Sequence, residues 1–76
     1  MNNDRRAQIQ EMADKLDALK SEIESIKDEE QECIDNMPDN LRGGERAEAA
    51  DEAVTALDEA MDNIDSAKEN MDGAAQ

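Results

Sequence analysis

Carboxylates outnumber every other functional group in this chain and set the chemistry open to it. Of 76 residues, 22 are Asp or Glu and 8 are Lys or Arg, a formal charge of −14 at neutral pH. Pairs such as Asp28/Glu32 and Asp58/Asp62 stand four residues apart, the spacing that makes side chains neighbours on a helix. Such pairs can hold a divalent cation or divide the roles of acid and base. The apparatus around them is absent from the sequence. There is no His and no aromatic residue, no Asp-x-Asp-x-Asp-Gly loop and no Glu-x-x-His motif of a di-iron bundle. A small chain without aromatics is also poorly equipped to wall off a pocket. The expectation is a protein that is not an enzyme and carries no metal and no cofactor.

Two other groups bear on chemistry. Cys33 is the single cysteine, so no intramolecular disulfide is possible, which suits a reducing cytoplasm. It follows the run Asp28-Glu29-Glu30-Gln31-Glu32 rather than the cation or base that activates a thiol, and is expected to be a buried structural side chain. Arg42 and Arg46 flank a turn and are candidates to grip a carboxylate or phosphate. They underlie a minor reading of the chain as an oligomeric small-ligand sponge.

The acids form a pattern in the second half of the chain. Glu48, Asp51, Asp58, Asp62, Asp65, Glu69 and Asp72 fall on one helical stripe, with neighbours about 5–6 Å apart where the step is three or four. Phosphates recur about every 3.4 Å along each strand of duplex DNA, so a rigid acidic stripe can occupy a basic groove built for nucleic acid. The alternative is a solvated face that keeps a small protein soluble. The net charge excludes nucleic acid and anionic membrane as ligands and admits basic proteins. No apolar run has signal-peptide or transmembrane length.

The elements that position these groups follow from periodicity. Ile9, Met12, Leu16, Leu19, Ile23, Ile26, Glu30, Cys33 and Met37 recur at alternating steps of three and four, the mark of a heptad helix with an apolar seam. Heptad position a falls at 9, 16, 23, 30 and 37, and d at 12, 19, 26 and 33. The spacing predicts a helix from about residue 4 to about 36, capped by Asn2, Asn3 or Asp4. Pro38 stops it, and residues 37–44 form a turn, with Leu41 placed to fold back as a lid. A second helix is expected over residues 45–72. Its seam is Ala47, Ala50, Val54, Leu57, Met61, Ile64, Lys68 and Met71, with an alanine column at g, at 53, 60, 67 and 74. Gly73 is the expected stop, leaving 73–76 as a frayed tail.

One half is large along its seam and the other small, which fits an antiparallel hairpin with interdigitated layers. The charges agree. In an antiparallel pair e faces e, and Lys20 and Lys27 at e of the first helix meet Asp residues at e of the second. The expected fold is therefore all-α, one antiparallel two-helix hairpin domain. A hairpin this small cannot bury its seam alone, so a homodimer forming a four-helix bundle is expected. Two polar seam residues, Glu30 and Lys68, lie at opposite ends of the hairpin. They would meet between two copies packed with their turns at opposite ends, fixing the register.

The run from Asp28 to Arg46, Asp-Glu-Glu-Gln-Glu-Cys-Ile-Asp-Asn-Met-Pro-Asp-Asn-Leu-Arg-Gly-Gly-Glu-Arg, followed by Ala53-Val-Thr-Ala-Leu-Asp-Glu-Ala, resembles short acidic proteins of bacteriophages and mobile elements of Gram-positive, often gut-dwelling, bacteria. It covers about the central half of the chain, and its most specific part is the Asn-Met-Pro-x-x-Leu turn. The resemblance implies a helical hairpin and a phage or bacterial cytoplasmic setting, and carries no catalytic residues. The functional expectation is a non-enzymatic acidic interaction protein, in sharper form a phage-type inhibitor of a basic host or defence protein. The competing expectation is a structural oligomerisation module whose acidity serves only solubility.

Overall fold

A computed structural model describes every residue except Met1, Asp39, Leu41 and Arg42. Two helices account for almost all of it: α1, Asn3–Asp35, and α2, Glu45–Ala74. They run antiparallel as a rod with extents of 60 × 15 × 11 Å. The fold is the all-α helical hairpin expected from the two heptad runs. Among the described residues, no helix is long and apolar enough to cross a membrane.

Local chemistry explains the ends. Asn2 is the N-cap of α1, and its side-chain oxygen accepts the Arg5 N–H at 2.8 Å, satisfying one of the free donors of the first turn. At the other end the Asn36 and Met37 amides donate back to Glu32 and Ile34 carbonyls, closing the last turn just before Pro38. Helix α2 starts from Gly44 with no side-chain cap, but Glu45 and Glu48 stand in its first turn, where the helix dipole favours negative charge. Gly73 does not stop α2, which continues through Ala74 with Ala75 as cap. One glycine costs about 1 kcal/mol against alanine, and the alanines that follow are the best helix formers. The proposed Leu41 lid lies outside the described residues.

Among the described residues, three ion pairs between the helices fix the register. Lys20 bonds Asp65, Lys27 bonds Asp58, and Lys68 bonds Asp17. The step of seven from Lys20 to Lys27 is matched by seven back from Asp65 to Asp58. Three back to Asp17 is matched by three forward to Lys68. The expected e-to-e pairing of Lys20 and Lys27 with aspartates is therefore present and aligns the helices.

The packing differs from the expected seam in one respect. Positions a and e of α1 face its partner, rather than a and d. Ala13, at e, is buried, and Lys20, Lys27 and Ile34 at e are partly covered, as is the whole a column. The d column is outside: Met12, Leu19 and Ile26 are 41%, 46% and 54% exposed, and Cys33, expected to be buried, is exposed. The reason lies in what e offers. Ala13 admits close approach, and turning that flank inward lays the lysine stems over the seam with their charges on carboxylates, a rotation of about 50° from an a/d centre to an a/e centre. Among the described residues only Ala13, Ala47 and Ala50 are buried, so no large side chain anchors the hairpin from within.

Candidate functional site

The rod has two unlike flanks, each built from helical columns. On the first, the e columns of both helices meet. The Lys20 ammonium donates to both Asp65 oxygens at 2.8 and 3.0 Å, and Lys27 to Asp58 at 2.9 Å. Lys68 sits at position a of α2 and reaches Asp17 at b of α1. Its aliphatic stem crosses the seam while its charge emerges at the edge, as long basic side chains commonly do. The hydrogen bond that Lys27 donates to Asp58 holds the lysine above the ordinary lysine pKa of 10.5. The bond to Asp17, with the nearby charges of Asp65 and Asp72, does the same for Lys68.

These bonds divide the seven-carboxylate stripe. Asp58 and Asp65 are committed to α1. Glu48, Asp51, Asp62, Glu69 and Asp72 are exposed, and none forms an ion pair with another described residue. They follow the outer edge of α2 for 24 residues, about 36 Å at 1.5 Å per residue. A helix holds them at fixed spacing, so a partner would meet a preformed row of charge and not a flexible tail.

The polar seam residues do not meet within the chain. Glu30 is half-buried near the turn, where it lines a shallow groove of about 430 Å³ with Cys33, Met37, Arg46, Ala49 and Ala50. Lys68 is near the open end and engaged by Asp17. That partner was legible in principle: once Lys20 is set against Asp65, residue 17 stands level with residue 68. The reading of Lys68 as a register residue between copies missed it because Asp17 lies just off the seam, at b. Arg42 lies outside the described residues. Arg46 is exposed and lines an open concavity of about 590 Å³ beside Cys33, Asn36, Met37, Pro38, Gly44 and Glu45. The lining brings one cation to a largely apolar surface, with Glu45 beside it.

The second flank carries the d column of α1. On an antiparallel hairpin whose e columns meet, the g columns share the other side. The exposed Ile26 and Leu19 therefore stand beside Ala60 and Ala67 of α2, which are half-buried, and Met12 beside the exposed Ala74, with Ala49 and Ala56 exposed further out. From residue 49 to 74 neither c nor g of α2 holds a charged residue. A chain this acidic has thus cleared a whole helical face of charge. Sequence reasoning identified the alanine column but not the d column beside it, because the heptad pattern alone assigned d to the inside. Among the described residues, no cluster of three or more His, Cys, Asp or Glu side chains is placed to hold a metal ion.

Comparison with known protein families, curated proteins and solved structures finds no match for this chain.

Proposed function

We propose that this chain is a non-enzymatic interaction protein whose carboxylate edge on α2 binds a basic protein surface. The observation that supports the reading is the preformed row Glu48, Asp51, Asp62, Glu69 and Asp72, exposed on one rigid helix after the hairpin's own lysines have taken Asp58 and Asp65. A row of fixed negative charge suits a groove that otherwise holds a nucleic-acid backbone. The sharper form is an inhibitor that occupies such a groove on a host or defence protein in a bacterial cytoplasm, the setting implied by the phage resemblance. The test is retention of bacterial lysate proteins by wild-type chain and by the triple variant Asp62→Lys, Glu69→Lys, Asp72→Lys. A basic protein held by the wild type at low salt, released at high salt and ignored by the variant is the expected result. Retention that the variant matches, or no basic protein retained, sinks the reading.

A second reading, a structural oligomerisation module, is favoured by the opposite flank. Three large apolar side chains at heptad spacing, 41–54% exposed, are poorly explained by solubility or by a basic partner.

A further inference from the structure

We propose that the uncharged flank is the interface with a second copy of this chain, in a four-helix bundle whose two turns lie at the same end. The proposal develops the oligomerisation reading. It concerns the side of the rod away from the carboxylate edge, so it stands whether or not that edge has a partner.

The area argues for a protein partner. Folded monomers of 8.4 kDa expose about 4,600 Å² by the size scaling of globular proteins. This hairpin exposes 5617 Å², a surplus of about 1,000 Å² over that scaling. Standard interfaces remove about 800 Å² from each partner. A face of the rod, 60 by 15 Å between its extreme Cα positions, is large enough to supply that.

Shape identifies the partner as another copy. The flank presents a raised row (Met12, Leu19, Ile26) on α1 and a low row (Ala60, Ala67, Ala74) on α2, both at steps of seven. A two-fold axis along the rod lays α1 of each copy on α2 of the other and leaves every residue at its own level. Within the hairpin, Lys20 is level with Asp65 and Lys27 with Asp58. In that register Met12, Leu19 and Ile26 come level with Ala74, Ala67 and Ala60 of the second copy, to within one residue, about 1.5 Å. Large meets small at each of the three layers.

The other two-fold arrangement fits less well. A two-fold axis across the rod would place the turns at opposite ends and lay α1 on α1, large row on large row. The charged g column, Lys15, Glu22 and Glu29, would then border the same column of the other copy. With α1 on α2, it borders the uncharged c and g columns instead. The turns-together arrangement also dispenses with the pairing of Glu30 with Lys68 between copies, and Lys68 already holds Asp17.

The experiment measures mass and geometry. Light scattering is expected to give twice the chain mass of 8.4 kDa for the wild type, with dimer favoured by added salt because two copies of charge −14 repel. Leu19→Glu with Ile26→Glu is expected to halve the mass. Should that variant lose its helical circular dichroism, the geometry decides: Cys33→Ala with Asn40→Cys carries one spin label on each turn. The labels are expected within about 30 Å of each other by pulsed electron resonance, because both turns share one end of a bundle about two helix diameters across. A label separation near 50 Å, the length of α1, overturns the arrangement. A wild-type mass of one chain at every concentration and salt overturns the interface itself. Because salt strengthens this contact and weakens binding of a basic partner, failure of one proposal is distinguishable from failure of the other.

Discussion

The two flanks of the hairpin use the same helices in opposite ways. On the e side, charge is paired across the seam and α1 turns inward until Ala13 is buried. On the d and g side, charge is cleared from α2 and the large side chains of α1 are left uncovered. A strongly acidic chain can afford an exposed apolar row only where carboxylates do not interrupt it. The first flank teaches what orients two helices; the second shows what that orientation leaves unfinished.

The contrast is broken most directly by size. Ala13 and Ala47 are 4% and 2% exposed, so a larger side chain at either must push into the residues that cover it. Ala13→Leu or Ala47→Leu is expected to destabilise the hairpin by about 1–3 kcal/mol, the usual cost of overpacking. The thermal midpoint should fall by roughly 4–8 °C per kcal/mol for a domain of this size. Ala18→Leu, on the exposed c column of α1 that points away from α2 and from both flanks, is expected to change stability by no more than about 0.5 kcal/mol. Equal melting shifts at the buried and exposed alanines would mean that the seam is packed no more tightly than the outer surface.

The next effect is electrostatic and smaller. Lys20 and Asp65 are each partly exposed, so their bidentate pair is expected to show a coupling of up to about 1 kcal/mol in a double-mutant cycle with Lys20→Met and Asp65→Asn. Its main effect is on orientation. Exchange of the two, Lys20→Asp with Asp65→Lys, is expected to restore most of the melting temperature that either change alone removes. Failure of the exchange to restore it would indicate that the pair does not align the helices.

Alkaline pH probes the same flank at its other two lysines. Folding raises Lys27 and Lys68 above 10.5, through bonds to Asp58 and Asp17. A group raised on folding binds its proton more tightly in the folded chain, so its contribution is complete below the unfolded value and fades as pH rises through the folded one. The melting temperature is therefore expected to drop as pH rises through and beyond 10.5, and Lys27→Met with Lys68→Met should flatten that limb. An alkaline limb unchanged in the double variant would assign the loss to other groups.

How much of this was legible in the sequence depended on whether a rule was local or relational. That Asn2 is the cap came from the structure, but the helices, a cap among Asn2, Asn3 and Asp4, and the turn before Pro38 follow from residues within a few positions of one another. So does the e-to-e attraction of Lys20 and Lys27 for aspartates, because both columns repeat every seven residues. Which column of α1 faces inward did not follow. Apolar content alone favours d, with Met12, Leu19 and Ile26, over e, with Ala13 and two lysines. The choice is made by the joint fit of small side chains and ion pairs across two helices. Cys33 was misplaced for that reason, and the Asp17 partner of Lys68 within the hairpin was missed. The carboxylate row was legible as a list of residues; that only five of its seven members are left outward needed the register.

The smallest effect tests where α2 ends, and with it how far the uncharged flank extends. Gly73 has nothing within 4 Å of where a Cβ would stand and lies inside the helix, at no positive φ. Alanine there removes backbone freedom from the unfolded chain without a clash, which stabilises by up to about 1 kcal/mol in a helix interior. In a last turn that frays, a few tenths of that is the expected gain. Gly73→Ala is thus expected to raise the melting temperature slightly and to slow amide exchange at Ala74 and Ala75, whose neighbour Met71 closes the seam at the open end. If instead the exchange of these amides is unchanged, the helix is already frayed before Gly73. The level row at Ala74 would then drop out of the interface, leaving Ala60 and Ala67 to meet Ile26 and Leu19.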